Sequence, residues 1–179
     1  MALVVVLQLV GGMIPAVGGF TISLVLIPIV MGAALYGAKT GALLGAAFGV
    51  VVMAGCITGT DPGGAMVFQA GPVLCTLVVL GKGILAGLFS GTVYGLVQKK
   101  NRVLAMLLAA AVCPITNTGV FVVCMMTFFR DVLAAWAGGG NILAYVLTGL
   151  VLCNFVPELI INLLFSMAGS RLIAHLKKG

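Results

Sequence analysis

The sequence predicts an all-α integral membrane protein, a bundle of six transmembrane helices forming a single domain over residues 1–179. Three observations lead there. Apolar residues make up 63% of the chain and charged residues 7%, far too little polar surface to cover a domain in water. The apolar residues run in stretches close to the roughly 20 residues that a helix needs to cross a bilayer. The basic residues sit at the ends of those stretches, where they act as topology signals.

The first stretch, residues 1–13, is shorter than a full span and runs straight into GGMIPAVGGF. It has neither the basic leading region nor the clean cleavage site of a signal peptide, so it is read as a first helix truncated at its N-terminus. Further spans are expected over residues 20–37, 39–57, 72–97 and 103–129. Lys39 falls between the second and third, and Lys99, Lys100 and Arg102 fall between the fourth and fifth. With Arg171, Lys177 and Lys178 at the end, these charges share one side, which the positive-inside rule makes cytoplasmic. Both termini then face the cytoplasm of a multi-pass protein in the cell membrane. GGMIPAVGGF, the loop TGTDPGGAMVFQAG and the segment beginning RDVLAAWAGGG face outward. Arg130 is the exception, partly offset by Asp131.

The last span poses a choice. Residues 142–153 are apolar and would extend it backwards, but Pro157 would then sit inside a long helix, where proline removes a hydrogen bond and clashes with the preceding turn. Starting at Asn154 avoids this. Asn is a favoured N-cap, Pro157 falls in the first turn, and residues 142–153 become a separate short helix or re-entrant piece. Residues 154–176 form the span, with Glu158 in its first turns, where the helix dipole favours an anion.

The candidate site grows from NFVPELIINLLF. Asn154, Glu158 and Asn162 are spaced i, i+4, i+8 and share one helical face, which lipid would penalise unless it looks into the bundle or a wet cavity. Lys82 lies about 15 Å down its span at 1.5 Å per residue, Asn117 in CPITNTG and Asn162 reach a similar depth, and the long Lys82 stem could reach up towards Glu158. One reading is a structural Lys82–Glu158 ion pair with the Asn side chains joining helices. The other is a polar pocket for a small hydrogen-bonding solute, into which that solute inserts between the two charges. Gln69, Phe68 and Trp136 are expected near the outer surface, placed to stack on or hydrogen-bond a ring; for Trp136 an interfacial aromatic belt serves equally well. The Gly- and Pro-rich outer loops read either as lids or as simple turns.

Other features set limits. Gly37, Gly41, Gly45 and Gly49 recur every four residues, as do Gly83, Gly87, Gly91 and Gly95, a spacing that lets helix backbones approach closely. Internal packing is the favoured use of both ladders over a docking face. Cys56, Cys75, Cys113, Cys124 and Cys153 form no CxxC pair and read as small packing residues. His175, beside the basic tail, is the only histidine, which leaves little for a metal site or a His-based triad. The basic residues form no stripe for nucleic acid, and no cofactor or metal is expected. There is no GxxxxGK[ST], so any ATP would be hydrolysed elsewhere.

The ordered set SLVLIPIVMGAALYGAKTGALLGAAFG, DPGG, GKGILAGLFSGTVYGLVQKKNR, CPITNTG and NFVPELIINLL resembles the substrate-binding S component of energy-coupling factor (ECF) transporters, in the broad group that includes riboflavin and pantothenate binders. The resemblance spans nearly the whole chain. It implies a six-helix protein that captures a vitamin-like solute from outside and docks on one transmembrane coupling protein and two ATPases, releasing its substrate by toppling in the membrane. Two positions depart from the family pattern. Ala2 begins an AxxxA docking frame but Val6 occupies its partner position, and Glu158 stands where riboflavin binders tend to have Lys. The alternatives are an intramembrane enzyme, drawing on Glu158, Lys82 and Ser166, and a small channel or structural membrane protein.

Overall fold

A computed structural model gives the fold of residues 1–13 and 24–176, with side chains described over 1–8 and 24–166. Most of GGMIPAVGGF, and the side chains of Arg171, His175, Lys177 and Lys178, lie outside that range. Every element among the described residues is helical: α1 (Ala2–Met13), α2 (Leu26–Tyr36), α3 (Ala38–Thr58), α4 (Pro62–Ala70), α5 (Pro72–Val97), α6 (Arg102–Phe128), α7 (Arg130–Trp136), α8 (Ile142–Tyr145), a π-helical segment (Val146–Phe155) and α9 (Val156–Leu176). Four helical runs are long and apolar enough to cross a membrane: Ala38–Thr58, Pro72–Val97, Arg102–Phe128 and Ile142–Ser166. α1 and the described part of the second stretch, α2, are shorter, with 12 and 11 residues. Their outward side chains include Leu43, Val50, Leu77, Leu96, Val123 and Leu164, all exposed and apolar, the surface that a hydrocarbon solvent accepts.

Two expectations change. The DPGG stretch was expected in a loop, yet it opens a helix. Asp61 is the N-cap of α4, its Oδ1 accepting from the Gly64 N–H at 3.1 Å, and Pro62 takes the first helical position, where its missing N–H costs nothing. Nor is Asn154 an N-cap. The capping role falls to Asn141, whose Oδ1 accepts from the N–H groups of Leu143 and Ala144. From Ile142 the chain stays helical to Leu176, and Asn154 lies within the π-helical stretch. Residues 142–153 are therefore not a separate piece, and Glu158 sits in mid-run rather than beside a free helix start. The physical reason lies next to Pro157. Hydrogen bonds spanning five residues widen the turns just before it, so the chain absorbs the proline by a change of winding instead of a break.

Neighbouring long helices run antiparallel. Along α3 and α5, Gly41 meets Gly87, Gly45 meets Gly83 and Gly49 meets Leu80. A Cβ on Gly45 would strike the Gly83 carbonyl, and one on Gly87 would strike that of Gly41. The two glycine ladders thus bring backbone against backbone inside the bundle. Gly95, at the end of its ladder, has nothing within 4 Å of an added Cβ, and Gly37 instead makes the turn between α2 and α3 at φ 93°. On the same antiparallel pattern, Ser90 of α5 meets Ala109 of α6, and Asn162 of α9 meets Ala110. Lys39, Lys99, Lys100 and Arg102 consequently share one end of the molecule.

The core has two layers. Near the basic end, Leu26, Ile29, Phe48, Ala86, Met106 and Ala109 pack together; towards the other end, Met53, Cys56, Val67, Cys75, Met125 and Leu133 do so. A Gly45→Ala substitution forces a methyl group against the Gly83 backbone and should cost about 1–3 kcal/mol of stability. Gly95→Ala, in open space, should melt close to the parent. Thermal unfolding in detergent compares the two, and equal melting temperatures would show that α3 and α5 do not need their close contact.

Candidate functional site

Where the two core layers meet, the bundle encloses a cavity of about 80 Å³. Phe48, Val52 and Cys56 of α3, Cys75, Val78, Val79 and Lys82 of α5, and Asn117, Thr118 and Phe121 of α6 form much of its wall. Asp61, Gly64 and Val67 approach from the α4 end, Gln8 from α1, and Asn154 and Glu158 from the last helical run. Lys82, Asn117, Asn154 and Glu158 therefore line one cavity, whereas Asn162, expected at the depth of Lys82 and Asn117, does not. Glu158 is 2% exposed and Asn117 5%, so both are turned away from the surroundings of the bundle.

Charge organises this space. Lys82 Nζ lies 4.7 Å from the centroid of the Phe121 ring, over a face whose electrons attract a cation. Glu158 and Asp61 bring two carboxyl groups to the same cavity. Among the described residues, Asn117 Oδ1, Asn154 Oδ1 and Thr118 Oγ1 of the lining find no hydrogen-bond partner. Buried oxygens of this kind carry a desolvation cost that only a partner removes. This wall is chemically unfinished, rich in acceptors and shaped round a small volume.

Asn162 has a different task. Pro114 lies inside α6 and has no N–H to offer the carbonyl of Ala110, four residues earlier. Asn162 Nδ2 donates to that oxygen at 2.8 Å, while Ser90 Oγ donates to the adjacent Ala109 carbonyl at 3.0 Å. Asn162 is 1% exposed, one turn beyond Glu158, and absent from the cavity wall. Its place on the same helical face as Glu158 was legible; its role as a splint for the proline depended on a helix far away in sequence.

Gln69 lies exposed on α4, outside the lining. Phe68 and Trp136 pack against the outer core layer instead. Trp136 donates its indole N–H to Met66 Sδ at 3.2 Å, and its ring centroid is 6.5 Å from that of Tyr145. Ser166 is fully buried and also lies away from the cavity. Sequence reasoning missed Asp61, Thr118, Gln8 and the Cys56–Cys75 side. Asp61 carried a readable signal, because Asp-Pro ahead of an apolar run marks a helix start; Thr118 follows Asn117 directly. Among the described residues, no group of three or more His, Cys, Asp or Glu side chains is placed to hold a metal ion.

No family model matches the chain, and neither the curated proteins nor the solved structures contain a match to it.

Asn162→Leu keeps the volume while leaving the Ala110 carbonyl without its donor, which should cost about 1–3 kcal/mol. Gln69→Ala, on an exposed position, should stay within about 0.5 kcal/mol of the parent. Calorimetric melting in detergent reads both, and an undisturbed Asn162→Leu protein would remove the splint.

Proposed function

We propose that this chain is the substrate-binding subunit of an ECF-type transporter, capturing a small water-soluble nutrient of the vitamin class from outside the cell. The observation that carries the reading is the cavity in which Lys82, Glu158 and the unpartnered oxygens of Asn117, Asn154 and Thr118 converge inside an otherwise apolar bundle. Buried ionisable groups between membrane helices mark solute or ion pathways by default, because lipid would otherwise reject them. In this reading α1 and α2 complete six spans, both termini face the cytoplasm, and the α4 end opens outward, opposite Lys39, Lys99, Lys100 and Arg102. Energy comes from a partner assembly of one transmembrane coupling protein and two ATPases. Glu158 and the unpartnered oxygens hold the solute and do not react with it, while Lys82 rests on the Phe121 ring beside it. Ser166 lies away from both, which weighs against an intramembrane hydrolase.

Thermal stabilisation of the detergent-purified protein by water-soluble vitamins and nucleobases tests the proposal. A solute at 100 times its Kd should stabilise by about 2.7 kcal/mol, and Glu158→Gln should reduce that response. A flat response across such solutes argues against a capture subunit. Co-purification with two ATPases and a membrane partner tests the assembly separately.

A further inference from the structure

From the chemistry of the cavity wall we infer that the captured solute is a cation: a small molecule whose positive charge sits on a hydrogen-bond-donating nitrogen group such as an amine or amidine. The inference rests on the capture reading above and deepens it by specifying the solute class.

Two carboxylates, Asp61 and Glu158, line the cavity against one ammonium, Lys82, so the described wall carries an excess of negative charge. That ammonium is already occupied. It lies over the Phe121 ring, 4.7 Å from the centroid, where the aromatic face supports its charge. The groups with capacity to spare are oxygens. Asn117 Oδ1 and Asn154 Oδ1 accept no hydrogen bond from the described residues, and neither does the Thr118 hydroxyl oxygen. Asn117 and Thr118 are 5% and 6% exposed, and both residues line the cavity. An ammonium or amidinium brings several N–H donors and a positive charge, and both match this wall. A carboxylate or phosphate would bring more acceptors to a space already dominated by them.

The two carboxylates also stand at different levels. Asp61 lies beyond the end of α3, fixed there by its bond to the Gly64 N–H. Glu158 lies in the middle of the last helical run. Phe48, Val52 and Cys56 climb α3 from the deep part of the cavity towards Asp61, about 12 Å at the helical rise. A cation passes from the first carboxylate to the second, its hydrocarbon part lying against Phe48, Val52 and Val78 while Asn117, Thr118 and Asn154 receive its N–H groups. Lys82 stays on Phe121, which keeps the cation apart from the protein's own ammonium.

Three sets of probes separate this inference from the reading beneath it, with melting temperature in detergent as the readout. The cations are pyridoxamine, ethanolamine and agmatine; the anions are biotin, pantothenate and nicotinate; the neutral set is riboflavin and nicotinamide. Stabilisation by one of the cations is expected. Asp61→Asn keeps an N-capping side chain while removing the charge, and Glu158→Gln removes the deeper one. Each should weaken the bound cation by about tenfold or more, and the unliganded protein should remain folded. Stabilisation by anions or neutral probes with none from the cations overturns the inference and leaves the capture reading standing. Silence from all three sets overturns both. A cation whose binding is untouched in Asp61→Asn and in Glu158→Gln overturns the assignment of these carboxylates.

Discussion

The molecule is organised by the backbone contact between α3 and α5. Gly41 and Gly45 on one helix and Gly83 and Gly87 on the other leave no room for a Cβ, so the helices meet at main-chain distance with their rotation fixed. In lipid this matters more than in water, because the surrounding tails compete with side chains for apolar contact and close packing must supply the preference. Lys82 directly precedes Gly83, and the fixed rotation turns it towards Phe121 of α6. Phe48, between Gly45 and Gly49, is turned into the same cavity. The glycines thus position the charge without touching it.

Around that contact the chain satisfies its backbone in two unusual places. Pro114 interrupts the hydrogen-bond ladder of α6, and Asn162 supplies the missing donor from across the bundle. Pro157 falls in a run that continues through it because the preceding turns are wound more widely. Both prolines lie on the helices that contribute Asn117, Thr118, Asn154 and Glu158 to the cavity. The backbone irregularities and the polar lining therefore occur together, as they do where helices depart from uniform winding to form a pocket.

Much of this was legible in the residues. The long spans followed from apolar length, and the shared end of Lys39, Lys99, Lys100 and Arg102 followed from charge placement. Lys82, Asn117 and Glu158 were found by asking which polar groups lipid would not tolerate. What could not be read depended on contacts between distant segments. The bond from Asn162 to Ala110 links residues 52 positions apart. Asn154 was misplaced because capping preference and proline avoidance both favoured a break, and a change of winding leaves no local composition signal. Asp61 was placed in a loop because Gly63 and Gly64 outweighed its capping signature. Helical length and depth come from local sequence; which oxygen receives which proton comes from the packed bundle.

The repair of Pro114 by Asn162 also sets an order of assembly. α6 emerges from the ribosome well before the segment that carries Asn162, and until that segment inserts, the Ala110 oxygen lacks its donor. Asn154 and Glu158, on the same late helical run, also make that side of the cavity wall late to form. A nascent chain halted after α6 carries both glycine ladders but lacks Asn154 and Glu158, and the final helical run brings the remaining wall of the cavity.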